Sequence, residues 1–204
     1  SKIADSETNA AVHTQVTVAC TDGIEHVFIL DQQSSYSAGS LISVTVTDGK
    51  TTAKTLTAKP VTGKVNADGT KIGNYTLADN VRILDTDSNG RYVSVTTSRL
   101  AGSTLQTGDV RYYLLDADGK ISHLILDDVT GDIWTYGFLI SSAATETDSS
   151  MNFTTTYRYF VNGTEQTLTS NNIRYDVSPG QGIAIQYSGN AVSSMRSTGT
   201  VKVT

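Results

Sequence analysis

Val129-Thr130-Gly131-Asp132-Ile133 is the stretch on which the reading of this chain turns. It has two counterparts, Val61-Thr62-Gly63-Lys64-Val65 and Ser197-Thr198-Gly199-Thr200-Val201, and the three glycines stand 68 residues apart both times. Even spacing of one phrase is the mark of a tandem array, in which small units are stabilised by packing on their neighbours. The spacing divides the chain into residues 1–62, 63–130 and 131–204, the first opening raggedly over Ser1 to Ala11.

Other landmarks recur between the glycine phrases. A mid-unit turn falls at Asp22-Gly23, Asn89-Gly90 and Asn162-Gly163, and a second turn at Asp48-Gly49, Asp118-Gly119 and Gly189-Asn190. Asn-Gly and Asp-Gly between alternating runs signal hairpins, because both residues tolerate positive φ. The flanking runs alternate apolar and polar residues, as half-buried strands do: Val81, Ile83; Val93, Val95; Ile183, Ile185, Tyr187. Thr97 to Gly102 reads as one helical turn, and Ser141 to Asn152, rich in Ser, Thr and Ala, as a long hairpin loop. Nothing carries helical periodicity over ten or more residues. The expected fold is all-β: tandem small barrel-like units with a repeat of about 68 residues, too short for an immunoglobulin-type sandwich of about 100 residues.

Composition narrows the function classes. A net charge of −5 with scattered Lys and Arg argues against nucleic-acid binding. No apolar stretch reaches the roughly 18 residues of a membrane-spanning helix, so no membrane insertion is expected. Charged residues make only 17% of the chain, which suits an extracellular β-rich protein. The single cysteine, Cys20, excludes an internal disulfide and reads as a small half-buried residue.

Signals for chemistry are weak. Asp85-Thr86-Asp87-Ser88-Asn89-Gly90 copies the start of a calcium loop, with oxygens from Asp85, Asp87 and Asn89. The bidentate Glu of such a loop is absent, since Thr96 stands at its twelfth position, and a plain hairpin turn is the preferred reading. His13, His26 and His123 fall in no zinc-ligand spacing. No serine lies in a Gly-x-Ser-x-Gly elbow, and Gly180-Gln181-Gly182 lacks the rest of a phosphate loop. Adjacent carboxylates such as Asp127-Asp128 point to opposite faces of a strand. No catalytic residues and no cofactor are assigned.

Aromatics give the one candidate ligand site. Trp134, Tyr136 and Phe138 alternate, which puts three rings on one face of a strand. An exposed stripe of this kind stacks on the C–H faces of sugars. Filling a core or a junction between units is the commoner use of such rings.

The run from Gly108 to Gly137 carries a family likeness. It contains Gly108-Asp109-Val110-Arg111-Tyr112-Tyr113-Leu114-Leu115-Asp116-Ala117-Asp118-Gly119-Lys120-Ile121 and Asp128-Val129-Thr130-Gly131-Asp132-Ile133-Trp134-Thr135-Tyr136-Gly137. These phrases resemble the β-rich repeats of Firmicutes cell-surface proteins that bear S-layer homology domains. The resemblance implies a secreted protein at the bacterial cell surface, within a wall-anchored parent chain that supplies the anchor. The expected role is non-enzymatic: a structural spacer, stiff along its length, or an adhesive module for a glycan or a host surface protein.

Overall fold

The computed structural model describes residues 2–4, 12–146, 152–188 and 191–199. Two compact units divide between Ile133 and Trp134. The described residues form strands and turns with no α-helix, and the sheets include a curled half-barrel. The expected helical turn is a short 3-10 helix, Thr97–Arg99.

In the first unit, β1 (Lys2–Ala4), β2 (Val12–Ala19) and β3 (Glu25–Leu30) make one antiparallel sheet. β4 (Ile42–Thr47) and β5 (Lys50–Thr55) make a hairpin closed at Asp48-Gly49, both with positive φ. β6 (Gly63–Lys64) pairs later with β10 (Thr104–Leu105). β7 (Lys71–Ile72) turns at Gly73 into the long β8 (Tyr75–Thr86). β9 (Tyr92–Val95), β11 (Val110–Leu115) and β12 (Ile121–Asp127) complete the unit. β12 hydrogen-bonds β11 antiparallel and β8 parallel.

The core of this unit sits under the later strands. Val65, Ile72, Ile83, Leu105, Ile121 and Leu124 are among its buried residues. Among the described residues before Val61, Leu30 and Ala53 are the buried apolar side chains. Two such residues cannot close a core, which is the physical reason that residues 12–62 share one compact unit with residues 63–133.

The second unit is a single antiparallel sheet in the order β15-β14-β13-β16-β17. Its strands are β13 (Thr135–Glu146), β14 (Phe153–Val161), β15 (Thr164–Asn171), β16 (Gly182–Ser188) and β17 (Ala191–Ser197). Leu139, Tyr157, Tyr159, Ile183, Ile185 and Met195 pack on one face. Residues 141–146 of the expected long loop at 141–152 are strand instead. Ala143↔Thr156 and Thr145↔Thr154 continue the hairpin ladder. Thr pairs well across strands, so a Ser/Thr-rich run extends a sheet as readily as it forms a loop. Residues 147–151 lie outside the described residues, as do the Gly189-Asn190 turn and the end of the last glycine phrase at Thr200-Val201.

Strand order does not repeat with the glycine phrases: residues 63–130 hold a parallel pair, and the sheet of residues 135–197 is antiparallel throughout. What recurs is a turn. In Asn66-Ala-Asp-Gly69, Asp87-Ser-Asn-Gly90 and Asp116-Ala-Asp-Gly119 the glycine N–H donates to the carbonyl three residues back. The first residue's side-chain oxygen accepts backbone N–H groups further along: Thr70 and Lys71 at Asn66, Asn89 and Arg91 at Asp87, Asp118 and Lys120 at Asp116. Gly69, Gly90 and Gly119 alone take positive φ in these turns. At Asp87 and Asp116 this is an Asx turn ended by a glycine in the left-handed region, whereas at Asn66 the side chain reaches past the glycine.

Residues 129–133 are not continuous strand. β12 ends at Asp127, Asp128 turns with φ 50, and the chain runs irregularly to Thr135. Fully buried Asp85 holds this segment down. Its Oδ1 accepts from Val129 N–H at 3.0 Å, and its Oδ2 from Thr130 N–H at 2.7 Å and Thr130 Oγ1 at 2.6 Å. Arg99 grips Asp132 with two bonds, Nε to Oδ2 at 2.7 Å and Nη2 to Oδ1 at 2.6 Å.

Candidate functional site

The outer face of the second unit's sheet carries the aromatic stripe. Strand alternation along β13 buries Leu139 inward and turns Tyr136 and Phe138 outward, 53% and 48% exposed. β14 adds Phe160, 47% exposed, directly opposite Phe138 in the ladder. Gly137 lies between the rings of β13, where a Cβ would come within 2.5 Å of the Phe160 carbonyl oxygen. That glycine keeps β13 and β14 close.

Trp134 is half-buried and, unlike the expected third ring of one strand, sits in the bend just before β13. The Arg196 guanidinium carbon sits 4.0 Å above its ring centroid, a cation–π contact. Register puts Arg196 on the same face: Tyr136 opposes Ala184, and Ala184 opposes Arg196. Ala184, in the same row, is fully buried. On the other flank, Arg158 donates through Nε and Nη2 to Glu165 Oε1 at 2.8 and 2.6 Å, neutralising both charges. The result is a ridge of aromatic faces bordered by a compensated ion pair and by one guanidinium. Arg196 has no ion pair among the described residues.

The candidate calcium residues are placed differently. Asp85 is occupied with Val129 and Thr130. Asp87 Oδ1 accepts from the N–H groups of Asn89 and Arg91, and its Oδ2 from Arg91 Nη1 at 2.9 Å. Asn89 occupies the third position of the turn. The calcium-like spacing of Asp85, Asp87 and Asn89 thus coincides with an Asx turn and a buried clamp. Among the described residues no group of three His, Cys, Asp or Glu side chains is arranged to hold a metal ion.

A cleft of about 440 Å³ opens in the first unit, lined by Tyr36, Glu25, Arg91, Tyr92 and Arg111 among others. Its charged groups hold the walls together. Arg111 bridges the Gly39 carbonyl, Thr86 Oγ1 and the Asp87 carbonyl. Arg91 pairs with Asp87, and burial, then the neighbouring Glu25, pushes the Tyr92 phenol up. In the second unit a hollow of about 410 Å³ contains Tyr159 and Tyr187. Burial foremost, then the bond to Tyr187, pushes the Tyr159 phenol well above the usual tyrosine range.

The remaining titratable groups fit structural roles. Burial, followed by the charge of Asp22, raises the Cys20 thiol, which makes it a poor nucleophile. Burial, followed by Arg82, lowers His123. Sequence reasoning named Trp134, Tyr136 and Phe138 but assigned no role to Phe160 or Arg196. Phe160 joins the stripe through the pairing of β14 with β13. Arg196 reaches the stripe through two strand pairings, and no local signal announces them.

Compared with protein-family models, curated proteins and solved structures, the chain matches none.

Proposed function

We propose that this chain is a non-enzymatic adhesive region of a secreted bacterial cell-surface protein, and that the outer face of its second unit binds glycans. The observation that carries the reading is the row of half-exposed rings at Tyr136, Phe138 and Phe160. Large aromatic side chains left in water on a rigid sheet present apolar area that a sugar's C–H face covers. Covering about 50 Å² per ring is worth on the order of 1 kcal/mol, and several rings acting together reach useful affinity. The likeness of residues 108–137 to surface-protein repeats supports the location, with the anchor supplied by a parent chain. The evenly spaced glycine phrases support a place within a repetitive region. A glycan array probed with the whole chain tests the proposal. Hits that fall away in Phe138→Ala support it, and an array without hits removes it.

A structural spacer is the second reading, favoured by the clamped segment from Val129 to Asp132. A connector tied to one unit by Asp85 and Arg99 transmits load without slack. Single-molecule pulling decides this point: the spacer reading expects a lower unfolding force in Asp85→Ala, and an unchanged force removes it.

A further inference from the structure

The charges around the stripe are unequal, and this inequality selects among sugars. Arg158 is neutralised by Glu165. Arg196 is exposed, lies over the Trp134 ring at 4.0 Å, and forms no ion pair among the described residues. We infer that the stripe takes an acidic oligosaccharide carrying a single carboxylate, with the rings stacking on its sugar faces and Arg196 receiving the carboxylate. This rests on the glycan-binding reading.

Three physical points support the choice. A guanidinium is a planar fork of N–H donors that fits a carboxylate through two parallel bonds. Its contact with Trp134 restricts its rotamers before any ligand arrives, so less freedom is lost on binding. The chain as a whole carries a net charge of −5, which repels polyanions at long range. One local cation within an acidic molecule therefore suits one isolated negative charge next to neutral sugar rings, and disfavours a heavily sulfated or phosphorylated chain.

Trp134 is the only tryptophan, so its fluorescence reports from the site itself. The experiment titrates the whole chain with a trisaccharide ending in one glucuronic acid, and with the same trisaccharide after reduction of that carboxyl to the alcohol. The acid is expected to bind about tenfold tighter at low salt, and the difference to shrink in high salt. Arg196→Gln should remove the preference between the two sugars. Arg196→Lys should restore part of it. Equal affinities for the two sugars, or a preference that survives in Arg196→Gln, would overturn the acidic-sugar inference and leave the aromatic platform standing. Failure of both sugars to bind would overturn the platform as well.

Discussion

Replacing Asp85 with alanine should unfold the first unit at a markedly lower temperature. The side chain is fully buried and satisfies three donors: Val129 N–H, Thr130 N–H and the Thr130 hydroxyl. The hydroxyl can turn to another acceptor, but the two backbone N–H groups are fixed. Leaving a buried donor without a partner costs about 1–3 kcal/mol, so the two together cost roughly 2–6 kcal/mol. Removing a carboxylate that had to be desolvated offsets part of this, and ~3 kcal/mol is the expected net loss. The unit runs from Ser1 to Ile133. For a unit of that length the unfolding entropy gives a shift of roughly 3–4 °C per kcal/mol, hence a fall in Tm of about 10 °C. Differential scanning calorimetry of the full chain measures it. Asp85→Asn should recover less than half of the loss, because its amide NH2 faces donors. A fall below about 2 °C in Asp85→Ala would refute the clamp and the account of the Val129–Asp132 segment with it.

Other perturbations probe the same geometry. Gly39 and Gly49 share a φ of +75°, but a Cβ on Gly39 would lie 2.3 Å from the Ser88 carbonyl oxygen and one on Gly49 would meet nothing within 4 Å. Gly49→Ala should therefore cost about 1 kcal/mol and Gly39→Ala at least about 2 kcal/mol more, measured by urea unfolding; equal losses would contradict the packing of that loop on the Asp87–Gly90 turn. Tyr159 should ionise above the ordinary tyrosine range in ultraviolet pH titration, because burial and Tyr187 both favour its neutral form. A raised phenol pKa in the folded state means that its stabilising effect is complete below the unfolded tyrosine range and is lost as pH rises towards the folded value; Tyr187→Phe should lower the midpoint. Calcium at millimolar concentration should leave Tm unchanged, since the Asp85 and Asp87 oxygens already serve backbone and Arg91 donors; a clear upward shift would restore a metal role at that turn.

The sequence was most legible where structure is local. Hairpins at Asp48-Gly49 and Asn162-Gly163 arise from the tolerance of those residues for positive φ, and the strands around Ile83, Val93 and Ile183 from alternation. Non-local pairing was not legible. The parallel contact of β8 with β12 and the insertion of β13 between β14 and β16 join segments that carry no mark of each other. The even glycine spacing suggested repeated units, but strand order does not follow it, and the turn that does recur, at Asn66, Asp87 and Asp116, lies wholly within the first unit. The stripe was half legible for the same reason. Alternation at Tyr136 and Phe138 shows that they share a face, but which face meets solvent depends on the side that Leu139, Ile183 and Ile185 take in the core, and Trp134 falls in the bend before β13, where strand alternation does not apply. Arg196 arrives by register alone.

The most direct test is an NMR titration of the whole chain with an array-selected oligosaccharide, following the aromatic ring signals. Saturable shifts are expected at Trp134, Tyr136, Phe138 and Phe160, with the rings of Tyr75 and Tyr113 in the first unit unmoved. Shifts at Tyr75 and Tyr113 with the stripe silent, or no saturable shift at all, would contradict glycan binding at the stripe.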